Sequence, residues 1–157
     1  MNQENLSKIL KIITIIIGTI GLVCYVYVMP VFGKDLAKGD MSSWYLPWLI
    51  FILGTAIPVY IALVIFWRLC ADIQKDLSFT TLNAARLKNI SILAIADVVY
   101  FFIGNIVMII LKMHHMGAFL ASLIVDVIGI AVALATASLS HLVTKASKLR
   151  EESELTI

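Results

Sequence analysis

The chain has 157 residues, 61% of them hydrophobic and 14% charged, with a formal net charge of +2. Average soluble domains carry about 25% charged residues, so this composition, with a mean hydropathy of +1.00, excludes an aqueous core with a separate soluble catalytic domain. It calls for a bilayer, whose hydrocarbon layer takes about 20 apolar residues per helix.

The first apolar run, Ile12 to Phe32, has no charge and follows Lys8 and Lys11. It is longer than the about 7–15 residues of a signal-peptide core, and no small-x-small cleavage site follows it. It therefore reads as a retained span over about residues 10–32, with Gly18 and Gly21 near its middle. The loop GKDLAKGDMSSWYLPW holds two Lys and two Asp and is neutral, and its Trp44, Tyr45 and Trp48 fall where an aromatic belt meets the interface. A second span covers about residues 45–70. Pro58 near its centre removes one backbone hydrogen bond and bends the helix, either as a hinge or as a static kink.

The polar stretch from Ala71 to Lys88 interrupts the apolar runs. Ser78, Thr80 or Thr81 can cap a helix start there. Phe79 and Leu82, three apart, share a face that can dip into the headgroup boundary. The stretch is expected to be a re-entry elbow carrying a short amphipathic arm, with docking of a partner as its functional reading.

The third and fourth spans cover about residues 89–111 and 117–143 and each contains one acid, Asp97 and Asp126. A carboxylate in hydrocarbon costs about 2.5–3.5 kcal/mol at the helix centre, so each acid must face protein or water, find a partner, or hold its proton. Taken from the helix centres, Asp126 falls near the level of Asn105 and about 10 Å in depth from Asp97. That spacing disfavours a tight shared-proton dyad and predicts an Asp126–Asn105 hydrogen bond. Ser122, Asp126, Gly129, Ala133, Ala137 and Ser140 form one small and polar face on the fourth span, and Ala94, Asp97, Phe101, Gly104 and Met108 a matching stripe on the third. The short link KMHHMG forces the two spans to be antiparallel neighbours.

Metal and catalytic chemistry have little to stand on. His114 and His115 are adjacent and do not share a helix face, His141 is isolated, and no Asp, Glu or Cys completes a ligand set. Hydrolase and phosphate-loop motifs are absent from the sequence. No catalytic residue, cofactor or metal is expected, and no basic–aromatic repeat marks direct nucleic-acid contact. Cys24 and Cys70 lie about 20 Å apart along the membrane normal, too far for a disulfide. Cys24 reads as a buried thiol, and Cys70, at the interface end of its span, has room to be exposed.

Basic residues set the threading. With the N-terminus inside, nine Lys and Arg lie on inner segments and three on outer ones. The expected architecture is all-α: a single integral membrane domain over residues 1–157, a four-helix antiparallel bundle with both termini inside, a cytoplasmic elbow at 71–88 and a cytoplasmic tail at 144–157.

The Phe79-Thr80-x-x-Asn83 stretch leading through Leu87, four spans of this length, and an acidic tail ending Glu154-Leu155-Thr156-Ile157 together resemble the bacterial membrane family called domain of unknown function 2975 (DUF2975). Members often have Pro before the Phe, where this chain has Ser78. The resemblance implies no established activity. It implies a gene neighbour encoding a small helix-turn-helix DNA-binding protein, and hence a membrane partner or sensor that acts with such a regulator, through Phe79, Thr80, Asn83, Leu87 and the residues 154–157, at a bacterial cytoplasmic membrane. The alternative is a small proton- or ion-coupled transporter or channel using Asp97 and Asp126, which would favour a homo-oligomer.

Overall fold

In the computed structural model every regular element is helical, and residues 3–36, 45–75, 77–112 and 116–155 are described. Helix α1 (Gln3–Val23) runs through a π turn at Cys24–Val28 into α2 (Met29–Leu36), and these three together form the first span. The second, third and fourth spans are α3 (Tyr45–Gln74), α4 (Thr81–Ile110) and α5 (Met116–Leu155). All four are long and apolar enough to cross a membrane, and no more than 17% of the most apolar window of any span is buried by protein. Ile12, Ile16, Ile20, Ile57, Val64, Ile103, Ile124 and Val127 all lie on uncovered faces. A surface so apolar is stable only against lipid.

Each span packs on the next one in the chain: α1 and α2 on α3, α3 on α4, and α4 on α5. The α4–α5 interface is the most extensive of these. Close approach there depends on missing side chains. A Cβ on Gly129 would fall 2.5 Å from Val98 Cγ2. At the α3–α4 interface the ring of Phe51 occupies the space a Cβ on Gly104 would need, and Phe51 also stacks on Phe101 with centroids 5.6 Å apart. Phe51 and Met108 form the small apolar core of this interface, flanked by Trp48, Ile52 and Phe101.

Hydroxyl groups fasten the spans by bonding to carbonyls across the interfaces. Ser7 donates to the carbonyl of Cys70 (2.6 Å), Tyr60 to that of Gly18 (2.8 Å), Ser91 to that of Ala133 (2.8 Å) and Ser140 to that of Ala84 (2.7 Å). Cys70, whose carbonyl Ser7 bonds, is fully buried with a free thiol, whereas Cys24 is only half-buried. The room expected at Cys70 is thus taken by the first turns of α1, which cross the interface end of α3.

The helices exceed the spans read from hydropathy. The polar elbow is tighter than 71–88, because α3 continues to Gln74 and α4 already begins at Thr81. Residues 81–88 are the first turns of the third span and not a separate arm on the membrane. Likewise α5 has 40 residues, about 60 Å at helical rise. Twice the hydrocarbon thickness, it carries most of the expected tail as helix beside the elbow. Trp44, His114, His115, Thr156 and Ile157 lie outside the described residues, whereas Tyr45 and Trp48 pack around Gly33 of α2.

Candidate functional site

Two polar constellations stand out, one at the elbow and one inside the membrane. The elbow is closed by a short network. Asp72 accepts backbone N–H bonds from Lys75 and Leu77 (both 3.0 Å) through its carbonyl, and its carboxylate pairs with Arg86. Thr80 is the N-cap of α4: its hydroxyl accepts from the backbone N–H of Asn83 (3.3 Å). Asn83 is 1% exposed, donates its amide to the carbonyl of Leu77 (2.8 Å) and accepts from Arg86 (2.8 Å). The Phe79-Thr80-x-x-Asn83 stretch is therefore a lock in which Asn83 binds the loop it follows.

This corrects two of the residues expected to meet a partner. Asn83 is consumed by the elbow, and Leu87, also buried, lies inside near Ala84 and Ile90 on the face that α4 turns to α5. Phe79, 54% exposed, and the half-buried Thr80 still reach the surface. They line, with Leu77, Thr81, Ser147, Arg150 and Glu151, a cleft of about 290 Å³ between the elbow and the protruding end of α5. Glu154 and Leu155 form the last turn of the same helix, past the cleft.

The second constellation is a transverse row. Tyr25 in the π turn of the first span lies 2.9 Å from the Thr55 hydroxyl of the second. Thr55 gives its only proton to the carbonyl of Ile52 (2.7 Å), so Tyr25 is the donor between them. Asp97 of the third span lies within about one helical turn of Asp126 of the fourth, because Ser91 bonds to Ala133 and Val98 meets Gly129. Asp126 is 6% exposed, and neither of its carboxyl oxygens has a hydrogen-bond partner. One oxygen of Asp97 is also buried and unpartnered.

The expected Asp126–Asn105 bond is not made. Asn105 donates instead to the carbonyl of Phe101 in its own helix (2.8 Å), and its side-chain oxygen is unpartnered. Register is the reason. The α4–α5 contacts pair 84 with 140, 91 with 133 and 98 with 129. Extended by one turn, they set Asp126 across from about residues 98–101 and Asn105 across from about Ser122. The depth reading failed because the joined helix ends, Ile110 and Met116, set the register, and the centres of the two apolar runs do not.

The stripe on α5 also shifts. Ser122, Asp126, Ala133 and Ser140 are buried as expected, but Ala137 faces outward and Thr136 takes its place, and the face continues to Ser147. On α4, Ala94, Asp97, Phe101 and Gly104 are half-buried and Met108 is buried, as the matching stripe requires. Pro58 lies within an unbroken α3, one turn beyond Thr55. Among the described residues no group of three or more His, Cys, Asp or Glu is placed to hold a metal ion.

The DUF2975 family model, described as a protein of unknown function, matches residues 33–157. The chain belongs to this family. An uncharacterized membrane protein, YoaS of Bacillus subtilis (strain 168), is 27% identical over 152 residues, covering 94% of this chain and 95% of its own length. No solved structure matches. The DUF2975 match takes in the elbow, the cleft, Asp97 and Asp126, but leaves out Tyr25 and most of the first span. Sequence reasoning missed Tyr25, Thr55, Asp72 and Arg86. The acid in the last turn of α3 and the base in the first turns of α4 were signals for the last two. Tyr25 and Thr55 had none, since single hydroxyls in apolar runs are common.

Proposed function

We propose that this DUF2975 protein is a non-enzymatic membrane partner of a small cytoplasmic regulator of helix-turn-helix type, seated in a bacterial cytoplasmic membrane with both termini inside. One observation carries the reading: Phe79-Thr80 and the end of α5, far apart in sequence, line the same cleft, at the end of the molecule where the first turns of α1 also pack. Phe79 supplies an uncovered aromatic anchor of the kind that dominates protein interfaces. Arg150 and Glu151 supply charge of both signs at the rim, which favours one docking orientation over others. The lock of Asp72, Asn83 and Arg86 holds the anchor in place without contributing to contact.

The test is binding of the regulator encoded beside the gene to the full-length protein in nanodiscs. Phe79→Ala is expected to weaken binding by at least about tenfold, equivalent to about 1.4 kcal/mol, while Leu120→Ala, on an uncovered face of α5, leaves it unchanged. Failure of the intact protein to bind the regulator would sink the reading.

A further inference from the structure

Asp97 and Asp126 are placed where two negative charges have no compensation. No Lys or Arg occurs between residues 12 and 33, 45 and 67, 89 and 111, or 116 and 143. The hydroxyls of the neighbouring elements are Tyr25 of the π turn, Tyr60 of α3 and Tyr100, one turn from Asp97 on α4. Tyr60 and Tyr100 already donate to the carbonyls of Gly18 and Phe51, and Tyr25 to Thr55. The two carboxyls therefore receive no hydrogen from these hydroxyls. Asp126 is more than nine-tenths buried with both oxygens unpartnered, on the face of α5 that meets α4. A carboxyl with no cation and no donor in a lipid-surrounded site is stable when it carries its own hydrogen.

We propose that Asp97 and Asp126 form a proton-binding site inside the membrane, a carboxyl pair that takes protons from the aqueous phase and returns them. The site stores protons and does not conduct them. Interhelical register sets Tyr25, Thr55, Asp97 and Asp126 side by side along the membrane plane, and the hydroxyl chain ends on the carbonyl of Ile52, which has no proton to pass on. The inference is independent of the docking cleft.

An apolar carbodiimide reads the protonated state directly. It adds across a protonated carboxyl to give an O-acylisourea that rearranges to an N-acylurea. Nothing leaves, so the peptide gains the whole reagent mass. The full-length protein in phosphatidylcholine vesicles is treated with dicyclohexylcarbodiimide and mapped by mass spectrometry, with Asp97→Asn and Asp126→Asn assigning each adduct. Adducts on both aspartates are expected at about pH 6, falling at least about tenfold by about pH 9.5, the range over which buried carboxyls exchange protons. No adduct at about pH 6 means permanently ionised groups, and equal labelling at both pH values means protons that never exchange. Labelling suppressed by sodium chloride but not by choline chloride at one pH assigns a metal cation instead. Each of these three results overturns the proposal.

Discussion

Asn83 shows how a polar residue at a helix start can look like a contact residue and be a structural one. Its amide satisfies the Leu77 carbonyl, its oxygen holds Arg86, and almost none of it is exposed. Asn83→Ala removes both bonds, one of them to a charged group, and leaves the Leu77 carbonyl with only the Thr80 hydroxyl (3.3 Å), so a loss of about 1–3 kcal/mol is expected. Unfolding in mixed detergent micelles, followed by circular dichroism, measures it. Small residues obey the same logic. Gly104→Leu drives a side chain into the Phe51 ring and is expected to cost about 1–3 kcal/mol in the same assay. Gly117→Ala meets nothing within 4 Å and is expected to be neutral or stabilising by up to about 1 kcal/mol.

At the scale of elements, helix starts and breaks carry the information. Thr80 caps α4 in extended backbone geometry, so Thr80→Ala is expected to cost about 0.5–2 kcal/mol. Hydrogen exchange localises the effect: amides of the first turn of α4 exchange faster, while those near Asp97 do not change. The π turn of the first span and Pro58 of the second both lie near the Tyr25–Thr55 bond. A π turn widens a helix by one residue and reorients the side chains around it. Tyr25→Phe removes the donor to Thr55 and tests whether the bond fixes the first span. If it does, cysteine pairs bridging α1 and α3 crosslink more slowly in the variant, and unchanged rates would assign the packing to Gly18 and Tyr60 instead.

For the molecule as a whole, packing follows chain order. The α3 and α4 spans each have a neighbour on both sides, while α1 and α5 stand at the edges of the row. Hydroxyl-to-carbonyl bonds hold register between spans, because lipid gives no hydrophobic drive for helices to associate. The first turns of α1, the elbow and the last turns of α5 lie at one end, and nine of the twelve basic residues of the sequence fall in those segments or beside them. A reporter fused after Ile157 is therefore expected to be active only in the cytoplasm, and one inserted at Gly39 only outside. Proton flux in vesicles is expected to stay at the level of empty vesicles, since the polar row runs along the membrane. A flux abolished by Asp126→Asn would replace the stored-proton account with a transport one.

Hydropathy alone determined that this chain is four helices in lipid, because an uncharged run of 20 or more residues has few other stable fates. Local sequence chemistry also narrowed the cap of α4 to Ser78, Thr80 or Thr81, marked Asp97 and Asp126 as costly groups, and gave most of the small-residue face on α5, since cap chemistry and helical period are local properties. What the period could not give was phase and register. Thr136 instead of Ala137 on the inner face, Ser122 instead of Asp126 opposite Asn105, and Asn83 turned into its own elbow all depend on where one helix sits against another. Tertiary structure alone decided those positions, because a slide of one turn along a uniformly apolar helix changes little except which few polar groups meet.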